Sequence, residues 1–568
     1  MKKRSQLLII ILVCFLACKK STSVTPEPPP GPDPTPIDPP ISTTIGFFLN
    51  DWKPKTFTAP PFQETALPSS QATVNISVDA ADIITKIPPP ITGQNANSWM
   101  TQIVTETALM NHLTNIRPGV IRFPGGSISD MYFWNALPNQ KPTDVPDTLL
   151  DANGNKSSAY YWVGKNTDSW TISLDNYYNL LQQTGSPGMI TVNYGYARYG
   201  TSIDPVAQAA HLAADWVRYD NGRTKYWEIG NECNGTWEAG YRINTATNQD
   251  GQPAIITGAL YGNHVKIFTD SMKKAAQETG KTIYISAYLL EKQPEGWQSA
   301  TDQTWNAGVL SQSNNSADYY TIHSYYTAYQ TNASATEIIN TAAANTTAMI
   351  NYVKTSISNA GATLKPIALT EWNIFSQGSM QQVSFINGMH GTILMAEAIK
   401  NKYGQTSRWD LANGWSSGND HGLFNIGDEP GVSKWNPRPA FYYLYYFNKM
   451  MGDRMLNTTV LTNNILAYAS SFTSGGKGLI LVNKETTAVT AGITIKNGSH
   501  GARIYWYTLT GGTDNGEFSR KVLVNGIGPT EISGGPASYA TLKANSALVP
   551  GAIKVSLPGR SVVFLVIE

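Results

Sequence analysis

Lys225-Tyr226-Trp227-Glu228-Ile229-Gly230-Asn231-Glu232 is an apolar, strand-like run that ends on a glutamate, and Lys365-Pro366-Ile367-Ala368-Leu369-Thr370-Glu371-Trp372-Asn373 does the same 139 positions later. A carboxyl group carried at the end of a strand is held rigidly. Two such groups facing one another can divide acid and nucleophile, or acid and base, between them. Working outward from these two runs, further β-branched or apolar segments lie at Ala72–Val78, Gly119–Phe123, Met189–Tyr194, Thr282–Ala287, Tyr319–His323 and Arg408–Leu411. With Lys225–Ile229 and Pro366–Leu369 they make eight strands. Amphipathic stretches at Asn97–Asn115, Pro205–Tyr219, Asn263–Thr279, Thr336–Asn359, Gln382–Lys402 and Arg438–Met451 fall between or after them. The alternation predicts an α/β fold, a (β/α)8 TIM barrel over residues 70–454, with a doubly wound sheet as the competing arrangement.

In a barrel, functional groups gather just past the C-terminal ends of the strands. The unusual polar segments of this chain fall there: Arg122-Phe123-Pro124-Gly125-Gly126-Ser127, Asn193-Tyr194-Gly195-Tyr196, Gly230-Asn231-Glu232, His323-Ser324-Tyr325-Tyr326, Glu371-Trp372-Asn373 and Asn413-Gly414-Trp415. Six loops carrying amides, hydroxyls and flat rings to one rim suit a sugar, and the glutamate pair suits cleavage of a glycosidic bond. The 15 Trp and 29 Tyr of the 568-residue chain fit the same reading. A formal charge of +1, with no basic cluster beyond the N-terminal segment, argues against a nucleic-acid partner. Seven His and no His-rich or Cys-rich cluster argue against a catalytic metal, and nothing in the chain calls for a cofactor.

The chain opens with an address. Lys2, Lys3 and Arg4 precede an apolar run from Leu7 to Ala17, too short to span a bilayer, so residues 1–17 read as a signal peptide. Phe15-Leu16-Ala17-Cys18 resembles a bacterial lipobox, which makes Cys18 the lipidated residue and the protein an exported lipoprotein, anchored in the outer membrane by lipid alone. Residues 18–42 form the anchor and a proline-rich tether, whose run from Val24 to Ile41 is semi-rigid. Cys14 lies within the signal, leaving Cys233 as the only thiol of the folded part, read as a buried apolar residue.

Asn-Glu ending the fourth strand and Glu ending the seventh resemble the signature of clan A retaining glycoside hydrolases. Gly230-Asn231-Glu232-Cys233-Asn234-Gly235-Thr236-Trp237, the Arg122–Gly126 turn, His323 and Glu371-Trp372-Asn373 are most similar to family 51, the α-L-arabinofuranosidases. Phe123 and Cys233-Asn234 depart from that family's usual residues, and so does the N-terminal stalk. The resemblance implies Glu232 as general acid and later base, with a raised pKa, and Glu371 as an ionised nucleophile held by Arg122 and by Tyr325 or Tyr326. Retaining geometry places such carboxyls about 5 to 5.5 Å apart. Asn231 is expected at the hydroxyl beside the anomeric carbon. Asn193 and His323 are expected to touch substrate, and Trp372 and above all Trp415 to stack on sugar rings. Glu228, deeper along its strand, reads as a paired structural carboxylate.

Residues 455–568 change to short alternating strands, at Leu461–Ser471, Gly478–Asn483, Thr490–Ile495, Ala502–Thr508, Ala552–Leu557 and Ser561–Val566, and predict an antiparallel β-sandwich bracing the barrel. Residues 43–69 are an N-terminal extension whose Phe47, Phe48 and Trp52 either join that sandwich or pack beneath the barrel. The expected partner is a polysaccharide or oligosaccharide. An endo-acting β-glycanase on the same scaffold is the alternative to an end-trimming arabinofuranosidase, and Ser127–Asp168, with Tyr132, Trp134, Tyr160, Tyr161 and Trp162, is the segment whose course decides between them. A non-catalytic surface glycan-binding lipoprotein would need the aromatics but neither glutamate.

Overall fold

The computed structural model describes residues 35–415, 420–549 and 551–568. Residues 1–34, which include the expected signal peptide, Cys14, Cys18 and most of the expected tether, lie outside the described residues. Eight parallel strands close into a barrel: β1 Gly93–Asn95, β2 Ile121–Phe123, β3 Gly188–Val192, β4 Thr224–Ile229, β5 Tyr284–Tyr288, β6 Tyr319–Tyr325, β7 Ile367–Asn373 and β8 Gln405–Arg408. Each is followed by an outer helix: α1 Thr107–Ile116, α2 Leu174–Thr184, α3 Pro205–Asp220, α4 Gly258–Glu278, α5 Ala300–Gln312, α6 Ala335–Asn359, α7 Phe385–Lys400 and α8 Pro439–Met450. Side-chain caps start several of them, including Asp204, Thr257, Ser334 and a Ser299–Asp302 capping box, each satisfying an amide that the first turn leaves unpaired.

Two strand expectations are corrected. The run Ala72–Val78 belongs not to the barrel but to the strand Val74–Lys86, which pairs with Arg454–Val460 and Val489–Lys496 of the β domain. Its burial alternates, the mark of a strand with one face on a core, whereas barrel strands such as β3 and β7 are buried at every residue. The true first strand, Gly93-Gln94-Asn95, carries no apolar signal, being three residues without an apolar side chain, of which Asn95 is held by polar contacts inside the barrel. The eighth runs over Gln405–Arg408 and meets the expected Arg408–Leu411 only at Arg408. The helix expected over Asn97–Asn115 forms only from Thr107.

The β domain is one eleven-stranded, mostly antiparallel sheet that curls over itself. Ile76, Leu481, Ile493, Val555 and Leu565, from distant parts of the strand order, meet in a single apolar core. The domain packs on α8 and α1, where Tyr446 meets Tyr507 with ring centroids 4.5 Å apart and Tyr539 bonds His112. The N-terminal extension divides its duties. Phe47 and Phe48 pack beneath the barrel on Tyr226, Tyr284 and Tyr319, while Phe62–Glu64 adds a parallel strand to the β domain beside Ala544–Leu548. The end of the proline-rich run is docked too: Asp38 pairs with Arg454 at 2.5 Å and Lys86 at 3.1 Å.

Candidate active site

The chain turns sharply where β4 ends. Gly230 has φ +73°, and a side chain there would lie 2.5 Å from Cys233 Sγ. Glu232 follows at φ +39°, a left-handed conformation that costs a non-glycine residue energy and is held here by its surroundings. The Gly235 amide donates to the Glu232 carbonyl at 2.6 Å, closing the turn that aims this carboxyl over the barrel mouth. From the opposite side, β6 and β7 bring His323, Tyr325 and Glu371.

These groups converge. One oxygen each of Glu232 and Glu371 and a ring nitrogen of His323 lie within 4.8 Å of one another. His323 Nδ1 is 2.9 Å from Glu232 Oε1 and 3.6 Å from Glu371 Oε2, and its Nε2 bonds Thr370 Oγ1 at 3.2 Å. Tyr325 donates its hydroxyl to Glu371 Oε1 at 2.6 Å, and Arg122 Nη1 donates to Oε2 at 3.3 Å. One oxygen of each carboxyl thus stands close enough to the other for both groups to face a single bond.

Arg122 is fully buried and spends every arm on this site: Nε on Glu228 at 2.5 Å, Nη1 on Asn95 and Glu371, and Nη2 on Asn231 Oδ1 at 2.8 Å. Burial works against its charge, but Glu228 and Glu371 outweigh it and hold the guanidinium above its ordinary pKa. Glu228, bonded also by Thr191, is the paired carboxylate expected of it. Glu371 differs from expectation. Its donors are present, but burial outweighs them, and with the nearby Glu232 carboxylate it raises Glu371 against the opposing pull of His323, Arg122 and Tyr325.

Two buried acids that sequence reasoning missed organise the floor. Asp130 accepts from the backbone amides of Tyr194, Gly195 and Asn231, tying the loops after β2, β3 and β4 together, and burial pushes it up to about 7. Glu238 accepts from Ser127 Oγ at 2.8 Å and Asn231 Nδ2 at 3.0 Å, and burial raises it well above the usual carboxylate range. Between Arg122 on its oxygen and Glu238 on its nitrogen, the Asn231 amide has one orientation and keeps one free N–H. Neither acid carries a local sequence signal, because what singles them out is burial beside loops that meet only in the fold.

Other expected residues go elsewhere. Trp372 is 1% exposed, with its ring against Gly391 of α7, so it faces the helix layer and not the sugar. The strand's alternation decides this, since its neighbour Glu371 points inward. Tyr326 likewise turns outward to Thr346 of α6, leaving Tyr325 as the tyrosine on Glu371. Asn193 is a buried loop brace that accepts from the Tyr196 amide and donates to Tyr199. Trp415 is half-buried beneath Arg520 of the β domain, whose guanidinium carbon lies 5.0 Å above the ring, so one of its faces is already covered. Residues 416–418 of that loop lie outside the described residues. Within Ser127–Asp168, Tyr132 and Trp134 are core residues and Tyr160 is exposed. Burial raises the Cys233 thiol well above its ordinary value, which suits a packing residue and not a nucleophile.

Among the described residues, Glu232, His323 and Glu371 are also the one group of three with ligand atoms close enough to share a cation. A cation there would have to displace the His323–Glu232 and Tyr325–Glu371 hydrogen bonds. A groove of about 590 Å3 opens instead on the outer surface, lined by Thr257, Asp302 and Tyr352, and contains neither glutamate.

No protein-family profile matches the chain, and no curated protein does. Solved structures do. The chain is similar to the family 51 α-L-arabinofuranosidase of Thermotoga petrophila, with a TM-score of 0.62 at 16% identity over 87% of this chain and 100% of that one. It is also similar to a bifunctional glucanase-xylanase from a metagenome library, with a TM-score of 0.56 at 14% identity over 88% and 100%. A Paenibacillus polymyxa xyloglucanase of glycoside hydrolase family 44 gives 0.55 at 12%, again over 88% and 100%. The fold is the one these clan A glycoside hydrolases share. At such identities the likeness is one of architecture, and the chemistry rests on the site itself.

Proposed function

We propose that this protein is a retaining glycoside hydrolase of the α-L-arabinofuranosidase type, acting on polysaccharide side chains by double displacement. The observation that carries the reading is the convergence of Glu232, His323 and Glu371 within 4.8 Å, with Tyr325 and Arg122 on Glu371. Glu371, the deeper carboxyl and the one held by two donors, attacks the anomeric carbon. Glu232 protonates the leaving oxygen and then, as a carboxylate, takes the proton of the incoming water. His323, bonded to Glu232 and braced by Thr370, orients that carboxyl. Asn231 offers its free N–H to the hydroxyl beside the reacting carbon, a contact that strengthens as positive charge develops.

The test compares wild type with Glu371→Ala on nitrophenyl glycosides and on plant and algal polysaccharides, with products separated by chromatography. Arabinose released by wild type and not by the variant supports the reading, and a ladder of oligosaccharides supports endo-acting cleavage. Equal products from both proteins would remove Glu371 from the mechanism. Export as a lipoprotein through Cys18 belongs to the same proposal. Labelled fatty acid incorporated into wild type and not into Cys18→Ser supports it, and equal labelling overturns it.

A further inference from the structure

Most aromatic rings of this chain are buried, but the three most exposed among the described residues share one region. Trp297 is 84% exposed, Trp237 65% and Tyr329 63%. Trp237 lies in the loop after β4, Trp297 in the loop after β5 and Tyr329 in the loop after β6, and those strands are consecutive neighbours in the barrel. The three rings therefore belong to three adjacent loops of the catalytic rim. A single exposed ring needs no explanation, whereas three on adjacent loops beside a catalytic cleft point to a surface made to be covered.

Both ends of the arc run into the site. The Trp237 indole lies over Gly235, the residue whose amide closes the turn carrying Glu232. At the other end Tyr329 packs edge-on against Phe375 with centroids 5.0 Å apart. Phe375 stacks on Tyr325 at 4.0 Å and 12°, and Tyr325 bonds Glu371. Rings that are flat, half-apolar and edged with polar groups match the faces of pyranose and furanose units, which carry C–H patches and hydroxyls together.

We propose that Trp237, Trp297 and Tyr329 form a binding arc for a glycan chain, so that the substrate is a polymer gripped over several sugar units and not a small glycoside. The inference rests on the glycosidase reading of the site, and it adds to it the residues that hold the polysaccharide beyond the bond that is cut.

The experiment uses the double variant Trp297→Ala/Tyr329→Ala and the ring-preserving Trp297→Phe/Tyr329→Phe, with thermal unfolding as the check on folding. Binding is read by affinity electrophoresis in gels containing arabinoxylan, arabinan or xyloglucan, in a Glu371→Gln background that prevents turnover. Loss of both rings is expected to weaken retention by the bound polysaccharide about tenfold or more, and the Phe pair to restore most of it. In the active background the ratio of polysaccharide to aryl-glycoside kcat/KM should fall by a similar factor. Unchanged retention in the Ala pair, or no retention of the parent protein by any of the three polymers, overturns the arc. A loss equal on polymer and aryl glycoside also overturns it, because it would place the rings' effect at the reacting bond. Polymer binding that depends on the rings without any hydrolysis would keep the arc and refute the catalytic reading. Hydrolysis that ignores the rings would do the reverse.

Discussion

Replacing Glu232 by alanine tests the division of labour between the two glutamates. General acid and base assistance contributes about 10²–10⁴ in rate, or roughly 3–5 kcal/mol of barrier. In the proposed mechanism the Glu232 carboxyl does both jobs, and its hydrogen-bonded partner is His323 at 2.9 Å. Glu232→Ala should therefore lose about that factor on substrates with poor leaving groups. It should lose much less in the first step on a nitrophenyl glycoside, whose leaving group departs without a proton. Truncation also opens a space beside a glycosyl-enzyme on Glu371, because an oxygen of each carboxyl stands within 4.8 Å of the other. Azide, small and needing no base, should enter it and accelerate turnover, giving a glycosyl azide of the substrate's own anomeric configuration. Kinetics on paired substrates and the product's NMR spectrum read both effects. A loss below tenfold on the poor leaving group, absence of azide rescue, or an azide of inverted configuration would refute the reasoning.

Three other substitutions probe the surroundings. Tyr325→Phe removes a hydrogen bond that lowers the pKa of Glu371. Attack needs the ionised form, populated above the folded pKa, so the acidic limb of kcat/KM should move to higher pH, and a limb that stays put or moves down contradicts the assignment. Glu228→Ala leaves the buried Arg122 without its closest partner and should cost about 3–5 kcal/mol, read as a fall in the denaturation midpoint; a change under about 1 kcal/mol would mean that Glu371 and Asn95 suffice. Phe48→Ala should cost about 3–5 kcal/mol by emptying the base of the barrel, where the ring packs on Tyr226 and Tyr319, while the remaining folded enzyme keeps its kcat; an unchanged midpoint would remove Phe48 from the core.

What could be read from the chain divides along physical lines. Strands buried on both faces, such as β4 and β7, announce themselves as apolar runs, and their rim residues could be placed because a barrel puts function at strand ends. Gly93–Asn95 could not be found, since a three-residue Gly-Gln-Asn strand has no hydrophobic pattern. Val74–Lys86 was misplaced although its alternation already marked it as half-buried. The same period of two separates Tyr325 from Tyr326 and Glu371 from Trp372, and applying it residue by residue would have turned Trp372 away from the sugar. Asp130 and Glu238 were invisible for a different reason. Their roles come from desolvation and from loops that approach only after folding, and no local spacing encodes that.

The central claim is a double displacement on Glu371, and the most direct measurement is the anomer first released. Proton NMR of the sugar formed in the opening minutes of hydrolysis, before mutarotation scrambles it, should show the configuration of the bond that was cut. The opposite anomer would mean a single displacement by water, and would contradict the assignment of Glu371 as nucleophile.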